Sequence, residues 1–304
     1  MMRLYLLLCV GLSLSSCGDD PLPFFFEGET GTPHEIALLA GVPAVEGRAL
    51  SSGLIAEGPL LLDTGAPVSL LDIDDLSAQS PGWYIAEFEA LGLRFLEVNT
   101  AVFNLFDESS CAVARPVGII GGDLLGHFTV DLDYRAQQIT LHQQDDAPGL
   151  ITVDAETPVS LPLKVLGGGR AAISGLEGVR TLAATRALLE VEVEGTTRWA
   201  MIDTGASLSV VRPNVVETDA QTRPRACCFS VTTIEGEQRM PLARLRQLSL
   251  GSTSTLPDVA VLVGDVTLFE LLSAEVGREI DLILGANVLA RYGLRLEPRA
   301  GALQ

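Results

Sequence analysis

Apolar and polar residues alternate in short stretches along this chain. Leu188-Leu189-Glu190-Val191-Glu192-Val193 puts apolar side chains on one face of an extended segment and stops at a turn, Glu194-Gly195. Ser230 to Leu242 reads as a hairpin with Glu235-Gly236 at its tip. Val130-Asp131-Leu132-Asp133 and Leu294-Arg295-Leu296-Glu297 alternate in the same way. Helical periodicity is rare and brief, so the pattern predicts an all-β protein. Two β-rich lobes, residues 34–148 and 185–304, are expected. A linker over 149–184 joins them, with Gly167-Gly168-Gly169 as its flexible stretch.

The first residues follow a different rule. Met1-Met2-Arg3 is positively charged, and an apolar run from Leu4 to Leu14 follows it, too short for the roughly 20 residues of a bilayer-spanning helix. This is the form of a secretory signal. Its end, Leu14-Ser15-Ser16-Cys17, resembles the lipobox of bacterial lipoproteins; the rival reading is an ordinary signal with a chance cysteine. The resemblance implies cleavage after residue 16, a lipid on Cys17 and a place on the periplasmic or outer surface of a bacterial envelope. Residues 18–33 read as a tether, although Phe24-Phe25-Phe26 is unusual there and suggests a segment that packs back on a lobe.

Composition narrows the options. Of 304 residues, 47% are hydrophobic and 19% charged, which fits a globular protein. A net charge of −19 repels a phosphate backbone, so nucleic acid is not an expected partner. With Cys9 in the leader and Cys17 lipidated, Cys111, Cys227 and Cys228 remain, either bridged in part or free. His34, His127 and His142 are scattered, so neither a metal nor a cofactor is expected.

The chain also repeats itself. Leu61-Leu62-Asp63-Thr64-Gly65-Ala66-Pro67-Val68-Ser69 matches Met201-Ile202-Asp203-Thr204-Gly205-Ala206-Ser207-Leu208-Ser209. Ile119-Ile120-Gly121 matches Ile283-Leu284-Gly285, and each is followed by a short helical stretch and one of the alternating strands. A lone Asp-Thr-Gly is more often a turn than a catalyst. Two copies in matching contexts point to one unit used twice.

This arrangement resembles the aspartic peptidases, both the pepsin-like and the retroviral-type branches. The resemblance implies a two-lobed fold of two retropepsin-like β-barrel lobes in one chain, working as a monomer with an intramolecular dyad. It implies that Asp63 and Asp203 form the catalytic pair and that a polypeptide is the substrate. One carboxylate would take a proton from water while the other, protonated, serves as the acid. Thr64 and Thr204 would link the two loops, Gly65 and Gly205 would let them turn tightly, and Gly121 and Gly285 would support them from behind. Asp123 and Asp281 read as surface or capping acids, and His127 as packed.

The halves are unequal. From Asp63 to Gly121 is 58 positions and from Asp203 to Gly285 is 82, with the missing 24 assigned to the stretch just after the first loop. Only the second half then has a hairpin, about residues 229–242, to close over a substrate. Trp83 and Tyr84 are either a remnant flap or core aromatics. The asymmetry leaves two functions open: an aspartic-type endopeptidase, or a non-catalytic peptide-binding lipoprotein. A self-processing enzyme with one dedicated substrate is a third possibility.

Overall fold

A computed structural model describes residues 4–5, 24–76, 80–105, 115–143, 150–154, 159–171, 176, 180–217, 226–233, 236–251 and 254–297. The expectations for Cys17 and Cys111 lie outside these residues. Strand dominates among them, and none of their helices is long and apolar enough to cross a membrane.

Leu4–Tyr5 (β1) lies beside the second half, and the first half starts at Phe25–Gly28 (β2). It continues through Pro33–Glu35 (β3), Ala37–Leu39 (β4), Val42–Ser51 (β5), Leu54–Leu62 (β6), Leu70–Asp72 (β7), Gly82–Ala90 (β8), Leu93–Phe103 (β9), Gly118–Ile120 (β10), Gly122–Leu125 (α1), Phe128–Asp133 (β11) and Gln138–Gln143 (β12). Then come Leu150–Asp154 (β13), Val159–Pro162 (β14) and Lys164–Ala171 (β15). The second half is Arg180–Val193 (β16), Thr196–Ile202 (β17), Val210–Val211 (β18), Pro213–Glu217 (α2), Ala226–Thr233 (β19), Gly236–Leu250 (β20), Ser254–Val263 (β21), Thr267–Val276 (α3), Ile280–Leu284 (β22), Ala286–Leu289 (α4) and Gly293–Glu297 (β23).

The alternating patterns become one-sided sheets. In β8, Ala86, Phe88 and Ala90 are buried while Ile85 faces solvent and Glu87 and Glu89 are only partly covered. The tight turns take left-handed backbone at both central residues: Ser52-Gly53, Leu91-Gly92 and the expected Glu194-Gly195. That geometry matches the twist of the strands it joins.

Each half curls into its own sheet. The first is eight-stranded, in the order β2-β9-β7-β10-β6-β5-β4 with β8 paired to β5 and β9; the second is nine-stranded, in the order β1-β19-β20-β21-β18-β22-β17-β16-β15. A third, six-stranded sheet, β14-β13-β23-β11-β12-β3, joins them. In it the two alternating segments matched by sequence lie side by side, Val130 opposite Leu296 and Leu132 opposite Leu294. The main core therefore runs continuously from Leu62 and Phe128 in one half to Leu284 and Leu296 in the other.

Three boundaries differ from the sequence expectation. The described residues of the expected 149–184 linker form strands: β13 pairs with β23, β14 with β13, and β15 with β16 across the glycines, with a register shift between Gly167 and Gly169. Glycine lowers strand propensity locally, but neighbouring strands on the sheet hold it in place. The 18–33 tether also ends early. Phe24 stacks on His127 with ring centroids 3.8 Å apart, and Phe26 meets Phe128 edge-on at 5.2 Å. Finally, Thr233 pairs with Gly236, so Gly236 belongs to the strand and not to the tip of the hairpin.

Candidate active site

Each Asp-Thr-Gly loop is built by the same local construction. The strand before it (β6 or β17) runs parallel to the apolar strand that ends in the supporting glycine (β10 or β22). Asp63 N–H donates to the Ile120 carbonyl and Asp203 N–H to the Leu284 carbonyl, both at 3.0 Å. The helix that follows each supporting glycine then ties the loop from behind. Gly122 N–H donates to the Ala66 carbonyl and Ala286 N–H to the Ala206 carbonyl, both at 2.7 Å.

Gly121 and Gly285 have extended backbones that any residue can adopt, so it is space that requires glycine. A Cβ on Gly121 would lie 2.7 Å from the Val68 carbonyl oxygen, and one on Gly285 2.6 Å from the Ala206 oxygen.

The two loops meet face to face. Thr204 Oγ1 donates to the Leu62 carbonyl at 2.7 Å and accepts from Thr64 N–H at 3.0 Å. In return Thr64 Oγ1 donates to the Ile202 carbonyl at 3.1 Å and accepts from Thr204 N–H at 3.2 Å. A side chain on Gly65 would collide with the Asp203 carboxyl, and one on Gly205 with the Asp63 carboxyl. All six loop residues, with Gly121 and Gly285, are thus brought together.

Both carboxyls are fully buried. Burial raises Asp63 to about 6, against the opposing influence of the adjacent Asp203 carboxyl and of the Ala66 and Gly65 amides. Those amides donate to its Oδ1 at 2.9 and 2.8 Å. Burial raises Asp203 well above the ordinary carboxylate range, and the adjacent Asp63 raises it further. Neither Asp203 oxygen reaches a partner at hydrogen-bond distance and angle, although the Gly205 and Ala206 amides lie close enough to favour its charge. The two carboxyls therefore share a proton and titrate as a unit, with the Gly65 and Ala66 amides favouring charge on Asp63.

The support behind the loops departs from the sequence reading. Asp123 is not a surface acid: it accepts the Ser69 hydroxyl at 2.8 Å, and Ser69 Oγ accepts the Gly121 N–H at 3.0 Å. Burial moves Asp123 up to about 7. In the second half Asn287 takes this position. Its Oδ1 accepts the Ser209 hydroxyl and amide at 2.9 and 2.7 Å, and its Nδ2 donates to the Ala260 carbonyl at 2.7 Å. Asp281 is likewise buried and pairs with Arg198 at 3.0 Å.

Two residues near the dyad escaped the sequence reading. Arg186, on β16, is buried and favours the charged form of Asp63. Tyr134 is buried just after β11, and the field of Asp203 raises its phenol further. For Arg186 the signal was a charge within the apolar approach to Leu188 and Leu189; Tyr134 had none, because only folding brings it to the second half. His127 is packed, and Trp83 and Tyr84 sit partly buried in β8, as core aromatics. Among the described residues no group of three His, Cys, Asp or Glu side chains is placed to hold a metal.

Residues 189–288 match the family model described as aspartyl protease. The fold is similar to a retropepsin-like aspartic protease from Rickettsia conorii, with 14% identity over 36% of this chain and 81% of that one and a TM-score of 0.24. Basic 7S globulin from soybean is also similar, with 12% identity over 92% of this chain and 98% of that one and a TM-score of 0.40. No curated protein matches the chain.

Proposed function

We propose that this chain, which belongs to the aspartic peptidase superfamily, is an aspartic-type endopeptidase that hydrolyses polypeptides with the Asp63 and Asp203 pair. The observation that carries the reading is the reciprocal threonine interlock, which holds two buried carboxyls against each other's loop glycines. Asp63, ionised and braced by two amides, takes a proton from the attacking water. Asp203, protonated, donates to the carbonyl oxygen of the scissile amide. The strands β19 and β20 form the hairpin that would cover an extended substrate.

The purified full chain should cleave a denatured protein mixture between pH 3 and 7, and the Asp203→Asn variant should not. One observation favours a second reading. Among the described residues the first half has no counterpart of β19, so a substrate would be covered from one side only. If the wild type stays inert at every pH yet binds extended peptides, the protein is a peptide-binding relative.

We further infer that Cys17 carries a lipid and holds the protein on the periplasmic or outer face of a bacterial envelope, on the strength of the Leu14-Ser15-Ser16-Cys17 sequence. Mass spectrometry of the mature N-terminal peptide tests this: an unmodified Cys17 would refute it.

A further inference from the structure

The most exposed large apolar side chains among the described residues are Phe25 (48%), Ile55 (55%) and Ile85 (52%). They fall on one face of one sheet. The register sets Phe25 opposite Leu96, Leu50 opposite both Glu87 and Ile55, and Ile85 two positions from Glu87 on the same side. At about 4.8 Å per strand this row extends roughly 20 Å across the first lobe. The next row along the same face is charged: Glu27, Arg94, Glu89, Arg48 and Glu57 lie opposite one another in turn. Arg94 reaches back to Glu87 at 2.6 Å, which draws that acid of the apolar row toward the charged band, while the exposed Glu97 stands at the register shift beside Leu96. A face that changes from charged to apolar within one row has a boundary built into it.

The position of this boundary is informative. Strand β2 runs from Phe25 toward Glu27, so the chain before Phe25 leaves from the apolar end of the face. Only six residues, 18–23, separate Phe24 from Cys17, a reach of about 20 Å even if fully extended. Whatever holds Cys17 lies within one protein radius of the patch.

We propose that the Phe25, Leu50, Ile55, Ile85 and Leu96 face rests on the lipid bilayer that holds the Cys17 acyl chains, so that the protein has a fixed orientation on its membrane. The proposal rests on lipidation of Cys17. The tether brings the face to the bilayer, and the apolar row enters the boundary between headgroups and acyl chains. The net charge of −19 keeps the rest of the surface off anionic lipid.

The test uses the full chain purified from bacterial membranes and reconstituted in phosphatidylcholine vesicles with brominated acyl chains. The single variants Ile85→Trp and Glu270→Trp are compared with the wild type to subtract Trp83 and Trp199. Glu270 is an exposed position on helix α3 of the other lobe. At an expected depth of about 5–10 Å the added Ile85→Trp fluorescence falls roughly twofold, and that of Glu270→Trp is unchanged. Ile55→Trp gives the same result should the first variant fold poorly. Protein that floats with the vesicles while both positions stay bright, or are quenched equally, overturns the proposal. An unmodified Cys17 in the same preparation also overturns it, through the anchor and not the face, and leaves the peptidase reading untouched.

Discussion

Behind one Asp-Thr-Gly loop stands Asn287, whose amide gives a hydrogen bond to the Ala260 carbonyl while its oxygen takes two from Ser209. Behind the other stands Asp123, which takes the Ser69 hydroxyl but as a carboxylate has no proton to give. The two positions are otherwise matched, each two residues past its supporting glycine and each bound to the serine that caps it. Neutral amide and titratable acid thus do one structural job. The Asn half has the same charge and bonding at every pH, whereas the Asp half changes its charge as Asp123 titrates. The covers differ as well. The second half carries the paired strands β19 and β20, whereas the described residues of the first half give only β8 and β9, the counterparts of β20 and β21. The duplication kept the chemistry symmetric and let support and cover diverge.

The largest expected effect tests whether the halves are equal in catalysis. Asp63→Asn and Asp203→Asn should each lower kcat by about a thousandfold or more, since each removes a proton-transfer group. Neither should unfold at pH 7, because asparagine removes a carboxyl that burial disfavours. A remaining rate in one variant would show that the halves are not equivalent. In the wild type the acid limb of the rate profile should lie above the usual carboxylate range, because Asp63 must lose a proton held up to about 6. Activity at pH 6.5 should exceed activity at pH 4.

Gly285→Ala and Gly121→Ala come next. Each Cβ would press on a carbonyl of the loop it supports, so each should cost on the order of 3 kcal/mol and shift the denaturant midpoint. Equal losses would confirm that the two supports are interchangeable.

Thr204→Val should cost about 1–3 kcal/mol by leaving the buried Leu62 carbonyl unpaired, and Thr64→Val somewhat less, because its bond to Ile202 is longer.

The smallest effect addresses the Asp and Asn difference directly. Burial raises the folded-state pKa of Asp123, so its contribution is intact below about pH 4 and is lost as the pH rises through about 7. Asp123→Asn should therefore gain on the order of 2 kcal/mol over wild type between pH 5 and pH 8, read from chemical denaturation at both. Asn287→Asp should introduce the opposite trend. Parallel wild-type and Asp123→Asn curves would sink this account of the asymmetry.

Much of the site was legible before folding, because its parts are local. Asp, Thr and Gly stand consecutively, and the apolar-apolar-Gly segments repeat at a recognisable distance. The missing hairpin strand could be counted from the unequal spacings. Other features were misread for a common reason. Gly167-Gly168-Gly169 reads as flexible from its neighbours in sequence, but its neighbour in space is a fourteen-residue strand. Asp123 and Asp281 read as surface or capping acids because hydrophobic patterning cannot show that Ser69 and Arg198 await them.

The sequence alone was enough to set the doubled loop, the β-rich character and the identity of the two carboxyls, since these depend on residue type and short-range periodicity. Only the tertiary structure decided that the two carboxyls are buried against each other, that the joint between lobes is itself a sheet, and that an apolar row opens beside the tether. Each of these depends on groups distant in the chain coming into contact, where burial and strand register act on them together.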